Sequence, residues 1–401
     1  MSGSAAPAMS RGRTMVICAL MVMLGPISLA LYTPAMPTLA AEFATSPARL
    51  GTTITVYFFG YCMAQLVAGP LSDAYGRRPV AIGFFALYSL GSLGCLLSGT
   101  VGQLIAFRAL QGVGAAAGPA ISRALVRDQF EGAAAVRLMN LIGLMLAVGP
   151  AIAPTLGGQI LALFGWHWIF LGMLLFGVAV LLLLCFATVE TNRNRDPALL
   201  QPGRIVGSYS HLLASRAFMR PALMLGFSVG GIYVCTPLLP FVLITEVGLT
   251  PAQFGLVMLA QTGSYMAGSL VTARLLRTMS ERNILVTGLA IVLLSALGFA
   301  LLPRFFPPSM VVVMAPVAIW AFSVALLVPI LTTQALAGFA HMAGTASALA
   351  GCLQIGAGLV GAALAGALFA EPLTALTTIV PLMAVLNLAT YLGLRPPRRG
   401  G

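Results

Sequence analysis

Three groups of residues in this 401-residue chain have types and spacing that could do chemistry. The first is the turn Gly69-Pro70-Leu71-Ser72-Asp73-Ala74-Tyr75-Gly76-Arg77-Arg78-Pro79. Asp73 is an anion placed where it could face a helix N-terminus, Arg77 and Arg78 are anchoring cations, Gly69 lets one helix approach another, and Gly76 permits a sharp turn. The second is Arg108 with Gln111 one helical turn later, inside the apolar run Phe107–Gly118. A guanidinium at membrane depth costs about 2.5–3.5 kcal/mol or more, so it faces a partner or a cavity. Gly114 and Gly118 in the same run have the spacing of close helix packing. The third is Gly149-Pro150-Ala151-Ile152-Ala153-Pro154-Thr155-Leu156-Gly157-Gly158, where two prolines remove backbone donors and bend a helix. Paired glycines then allow a neighbour close. This is the chemistry of ion pairing, bending and gating, not of bond making.

Enzymatic constellations are missing from the sequence. All 21 basic residues are Arg. Without Lys there is no P-loop cation for nucleotide phosphates and no Schiff-base amine. His167, His211 and His341 lie far apart with no ligand spacing, so neither metal nor cofactor is expected. Cys18, Cys62, Cys95, Cys185, Cys235 and Cys352 form no C-x-x-C pair, fall inside apolar runs, and read as small buried hydrophobes.

The elements that must position these residues are membrane spans. The chain is 59% hydrophobic and 7% charged, with mean hydropathy +1.00. A soluble domain has roughly 25% charged residues, so lipid must cover this one. A net charge of +12 would suggest nucleic acid in a soluble protein. Here the arginines fall in loops after alternate spans, and nucleic acid is excluded. A span needs about 20 apolar residues. Twelve runs qualify, near 14–38, 50–71, 80–99, 102–125, 136–162, 167–189, 218–244, 252–275, 284–303, 309–335, 343–369 and 373–394. The first, preceded by Arg11 and Arg13, is too long for a signal-peptide core and reads as a retained helix. Long runs without alternation exclude a barrel. The expected fold is all-α, a polytopic membrane protein of twelve transmembrane helices in two six-helix bundles.

All arginines except Arg49, Arg108 and Arg304 fall in segments on one side of this arrangement, Arg193, Arg395, Arg398 and Arg399 among them. The positive-inside rule then makes both termini cytoplasmic. The hydrophilic stretch after Glu190 divides the chain into residues 1–190, a cytoplasmic linker 191–217, and residues 218–401. Thr33-Pro34-Ala35-Met36-Pro37, Glu42 and Pro47 through Gly51 are echoed by Thr236-Pro237-Leu238-Leu239-Pro240, Glu246 and Pro251 through Gly255. Two such parallel repeats put a solute site between them near the midplane. On one face of span two, Tyr57, Tyr61 and Gln65 repeat at i, i+4 and i+8, and Gln261 and Tyr265 do the same in span eight. Tyr32, Tyr233 and Trp320 join them as stacking groups. Helix packing would suit any one of them, but as a mirrored set they point to a cavity.

The turn Gly69–Pro79 between spans two and three resembles the signature loop of the major facilitator superfamily, whose members move small solutes across membranes. That resemblance implies that Asp73 engages the start of span eleven, near Gly344–Ser347, to help shut the cytoplasmic side. It also implies that Arg108, with Gln111 and Asp128, takes part in proton coupling. Gly149, Pro150, Pro154, Gly157 and Gly158 resemble the antiporter motif of the superfamily's exporters. With Leu31–Pro37, Ser122–Asp128 and Gly165–Phe170, the chain is similar to the bicyclomycin/chloramphenicol-resistance (Bcr/CflA-type) efflux family over nearly its whole length. The resemblance implies a monomeric proton antiporter in the bacterial inner membrane that exports drugs or other small molecules. The alternative is an exporter of an endogenous metabolite, peptide or siderophore. The sequence departs from that family at one place: the acid usually found in span one, four residues before the first proline of its P-x-x-P pair, is replaced by Ala30. All nine acidic residues lie at span ends or in loops, so either coupling runs through Asp73, Asp128 or Arg108-linked groups or the chain is not a proton antiporter. The missing acid also points away from cationic solutes, towards neutral, zwitterionic or anionic ones.

Overall fold

The computed structural model describes residues 8–394 except 193–194, 197–199 and 340–341. Arg193, His341, Arg395, Arg398 and Arg399 therefore lie outside the described residues, as do a few side chains of the fifth span. Among the described residues every regular element is helical. We number them α1 (Arg11–Glu42), α2 (Pro47–Tyr75), α3 (Arg77–Leu96), α4 (Val101–Gln129), α5 (Gly132–Phe164), α6 (Trp166–Ala187), α7 (Pro202–Ala214), α8 (Arg216–Glu246), α9 (Pro251–Leu275), α10 (Glu281–Phe305), α11 (Met310–Leu336), α12 (Ala343–Leu368) and α13 (Pro372–Gly393). Eleven of them are long and apolar enough to cross a membrane. α5, with 33 residues, would reach about 50 Å; its stretch Ile152–Phe164 is a described apolar helix. α7 lies inside the stretch expected to be a plain linker.

Local chemistry sets the helix ends. Ser46, Thr100, Thr250 and Ser309 cap α2, α4, α9 and α11 with their side-chain oxygens. Thr250 and Gln253 form a reciprocal capping box. Pro47, Pro251 and Pro372 occupy first-turn positions, where the missing N–H costs nothing. The echoed proline motifs behave differently. Pro34 and Pro37 tighten α1 into a 3-10 turn at Thr33–Ala35, whereas α8 stays helical through Pro237 and Pro240 and then widens into a π turn at Phe241–Glu246. In α4 the break falls at Ala116, three residues before Pro119.

Buried side chains form three clusters. The largest takes residues between Met9 and Leu184 plus Phe241, and the second runs from Met224 to Ala384. The third joins Leu212 of α7 to α8, α11 and α12. The two large clusters meet where α2 packs on α12 and α5 on α9. At the second seam Gly158 lies against the Pro251 backbone and Gly255 against that of Pro154. Thr155 Oγ1 donates to Gly255 O at 2.8 Å. Across the first seam Cys62 and Cys352 are joined by a disulfide, with Cα atoms 4.8 Å apart. These two are thus not merely small buried hydrophobes; helix packing, unreadable from spacing, brings residues 290 positions apart together. Arg13 Nε donates to Ala187 O and Arg220 Nη2 to Tyr391 O, so the starts of α1 and α8 and the ends of α6 and α13 share one face. We call it the linker face.

Candidate functional site

The Gly69–Pro79 turn sits at the linker face. Gly76, with φ of 109°, ends α2 in a conformation that L-residues with side chains rarely adopt. Glu190 fills the space beside it. Its carboxylate accepts from the first two N–H groups of α3, Arg77 N at 3.0 Å and Arg78 N at 3.2 Å, an anion at a helix N-terminus. Arg77 is buried and pairs with Asp73; its Nε donates to Asp128 Oδ2 at 3.0 Å and its Nη1 to Ser72 Oγ at 2.8 Å. Thr191 Oγ1 donates to Asp128 Oδ2 at 3.1 Å. Arg78 reaches the α6 carbonyls of Leu184 and Cys185.

This cluster corrects three expectations. Asp73 does not engage the start of α12, because Arg77, four residues on across the Gly76 break, takes its carboxylate. Asp128, expected with Arg108 as a coupling residue, is held at the linker face by the same Arg77 and by Thr191. Gly69 faces open space and is no point of close helix approach. Glu190 and Thr191 were missed as functional residues; only the folded loop shows that they return to the turn.

Arg108 is fully buried. Its guanidinium lies 4.6 Å from the Tyr32 ring centre and 4.5 Å from that of Tyr57, and Nη1 donates to Gln111 Oε1 at 2.5 Å. Gln111 Nε2 donates onward to Ser92 Oγ at 2.7 Å. Two desolvated cation–π contacts of up to about 2 kcal/mol each and a charged hydrogen bond of about 1.5–3 kcal/mol offset the membrane cost of the cation. Its Nε and Nη2 have no hydrogen-bond partner among the described residues.

A cavity of about 550 Å³ opens beside this group. Its wall comes from α1, α2, α4 and α5 on one side and α8, α9, α11 and α12 on the other. Tyr57, Tyr61, Gln65, Tyr233, Gln261 and Tyr265 all line it, as do Pro150 and Pro154. The Phe58 and Tyr233 rings, from opposite sides, are 5.0 Å apart between centres. Tyr32 and Trp320 do not line it, which corrects their expected role. Tyr32 hydrogen-bonds Thr53 Oγ1 at 3.0 Å beside Arg108, and Trp320 Nε1 donates to Ser228 O at 2.8 Å against Gly231. Gly149 and Gly157 pack on α1, at Ile27 and Leu31, and Gly158 on α9. Ala30 lies in the wall itself. Arg123, expected only as an end-of-span cation, lines the cavity and donates from Nη1 to Ser347 Oγ at 2.8 Å. No Asp or Glu lines it among the described residues. Below it, Tyr209 of α7 donates to Leu66 O at 2.7 Å; burial pushes this phenol up to about 12, so it remains a donor.

Comparison with known proteins agrees with this architecture. The chain is 30% identical over 381 residues to the uncharacterized MFS-type transporter YdgK of Bacillus subtilis (strain 168), covering 93% of this chain and 92% of that one. It is 29% identical over 341 residues to the multidrug resistance protein MdtL of Shigella flexneri serotype 5b, covering 85% of each. The crystal structure of a D-xylose–proton symporter superposes with a TM-score of 0.72 at 16% identity, over 97% of this chain and 99% of that one, a likeness of fold alone. The Major Facilitator Superfamily model matches residues 18–362. A membrane-spanning helical chain with a cavity between two sets of spans, matched by that model over most of its length, is a transporter and not an enzyme, and it belongs to the Major Facilitator Superfamily.

Proposed function

We propose that this chain is a Bcr/CflA-type exporter of small organic molecules across the bacterial inner membrane, with both termini and the linker face cytoplasmic. Residues 1–190 and 218–401 act as two bundles that rock about the central cavity, tied by the 191–217 linker. The cavity itself supports the reading best: both sets of spans wall it, and aromatic and amide groups line it. Such a size and lining suit a small molecule. Pro150 and Pro154, in the segment resembling the exporters' antiporter motif, form part of the wall and support the outward direction. The Arg77 cluster is the gate element, and its charges anchor the cytoplasmic ends of α2, α3 and α4.

One observation favours a second reading of the energetics. Proton antiport through the cavity needs a titratable group at depth, and none is an acid among the described lining residues. Asp73 and Asp128 are held by Arg77. The second reading is export of an endogenous solute with no carboxylate relay. A drug-susceptibility screen in a pump-deficient bacterium, paired with uptake into inverted vesicles, separates these outcomes. Raised resistance and uptake that falls when the pH gradient is collapsed support the antiporting drug pump. Uptake that persists without the gradient rejects antiport, and no uptake of any solute rejects export.

A further inference from the structure

We propose that the cavity is a binding site for organic anions, with the Arg123 guanidinium holding the anionic group and Gln65 Oε1 accepting from a donor elsewhere on the solute. The proposal rests on the reading of the cavity as the solute site and deepens it by naming the charge class of the solute.

Arg123 is the one charged side chain among the described residues that line the cavity. Among the described residues it has no ion-pair partner; a neutral hydroxyl, that of Ser347, takes one of its five N–H donors. The remaining donors form a planar fork suited to two oxygens of a carboxylate, sulfonate or phosphate. Behind the Tyr57 ring stands a second guanidinium with no carboxylate partner. Arg108 is fully buried, and its Nε and Nη2 lack any hydrogen-bond partner. Two cations of like sign, the exposed Arg123 and the buried Arg108 behind it, with no acid among the described lining residues to balance them, repel cationic solutes and attract anions.

The same wall holds an unmet polar group. Gln65 is only 9% exposed, and its Oε1 has no hydrogen-bond partner. Buried polar atoms are normally satisfied, and this one is an acceptor, so it is met by a hydroxyl or N–H on the solute and not by its anionic group. Gln65 packs at Gly351 of α12, one helical turn from Ser347, the residue that Arg123 reaches. The tyrosine rings beside them supply an apolar surface for the body of the solute. The fitted class is therefore a small organic anion with a flat or apolar body that also carries a hydrogen-bond donor.

The charge has an energetic consequence. A monovalent anion leaving a cell whose interior is negative moves down the electrical gradient. Each 100 mV is worth a concentration ratio of roughly 50-fold. Outward transport of such a solute can be driven without a proton relay, in keeping with Ala30 in the wall.

Three probes of one shape test the proposal: 2-naphthoate, 2-naphthamide and 2-naphthylmethylammonium, anionic, neutral and cationic. Their binding to the purified full-length chain in detergent is measured directly. The expected order is naphthoate tightest, by roughly 10- to 100-fold over naphthamide, with the ammonium weakest. In Arg123→Gln the naphthoate advantage collapses while naphthamide affinity is unchanged. Arg123→Lys restores part of it, through charge without the fork. Ser347→Ala keeps it, because that variant removes only the hydroxyl contact. Equal binding of the three probes, a preference for the ammonium, no binding of any, or an anion preference that survives Arg123→Gln would each overturn the proposal. Binding is read without transport. A charge-selective site with no outward flux would therefore sink the export reading alone, and flux without charge preference would sink this proposal alone.

Discussion

Arg108 is held by two tyrosine rings and one amide, and each of these contacts depends on a planar guanidinium. Arg108→Ala leaves Tyr32, Tyr57 and Gln111 around an empty space next to the cavity. The expected outcome is loss of transport by at least about tenfold in inverted vesicles, with membrane abundance close to that of the parent because insertion is driven by the apolar spans. Arg108→Lys should rescue little, since an ammonium neither stacks nor forks as guanidinium does. Transport unchanged in Arg108→Ala would place the residue outside the mechanism. Ala30 gives the converse test. It lies in the cavity wall, so Ala30→Asp introduces a carboxylate where the described lining has none. That acid is charged above its own pKa, so binding of the cationic probe should rise with pH, by about tenfold across the titration, and be lost as pH falls. A cation affinity that is flat with pH would show that this wall position does not see the solute. Both residues were legible in the sequence, Arg108 as a charge inside an apolar run and Ala30 as a departure from the family pattern. Arg123 and Glu190 were not. Both sit at segment ends where a charge is ordinarily solvated, and only folding turns Arg123 into the cavity and brings Glu190 back to the start of α3.

At the level of elements, the positions of the spans could be read from apolar length. The partners of each helix could not, because small residues mark close packing without saying against what. Gly149 and Gly157 meet α1, whereas the adjacent Gly158 meets α9. A one-residue step in sequence rotates a helix face by about 100°, so neighbouring glycines serve different interfaces. Gly158 is the sharper probe because its contact joins the two sets of spans on the face away from the linker. Gly158→Leu forces a side chain into the Pro251 backbone, and overpacking of this kind costs about 1–3 kcal/mol. The strain is relieved by parting α5 and α9 at that end. The variant should therefore expose that side of the cavity, seen as faster thiol labelling of a cysteine placed at Thr33, a lining position on α1. Labelling no faster than in the parent would mean that the seam yields without opening. α7, hidden in a polar stretch, is the element that composition concealed; its Leu212 is buried against α8 and α12 only once those helices are assembled.

On the scale of the whole molecule, the two large clusters of buried side chains are joined by three kinds of link: the linker with α7, the packed seams, and the covalent bond between Cys62 and Cys352. The last of these ties α2 to α12 within the apolar part of the chain. It makes a clear prediction for a chain cut in the linker. A protease site placed between residues 196 and 201, after purification under oxidising conditions, should yield two fragments that run together on a non-reducing denaturing gel and apart after reduction. Cys62→Ser should run apart in both. The transport consequence follows from geometry. A covalent tie limits how far α2 and α12 can separate, so any cycle in which this seam opens is arrested by the bond. Rocking that keeps the seam closed is not. Adding a reductant to proteoliposomes should therefore raise the turnover of the parent chain and leave Cys62→Ser unchanged if the seam opens. Equal rates with and without reductant would mean that α2 and α12 stay in contact throughout, and that the bundles pivot about this seam while the cavity mouth opens elsewhere. Fragments that separate without reductant would show that the two thiols are unbonded, and the seam would then rest on helix packing alone.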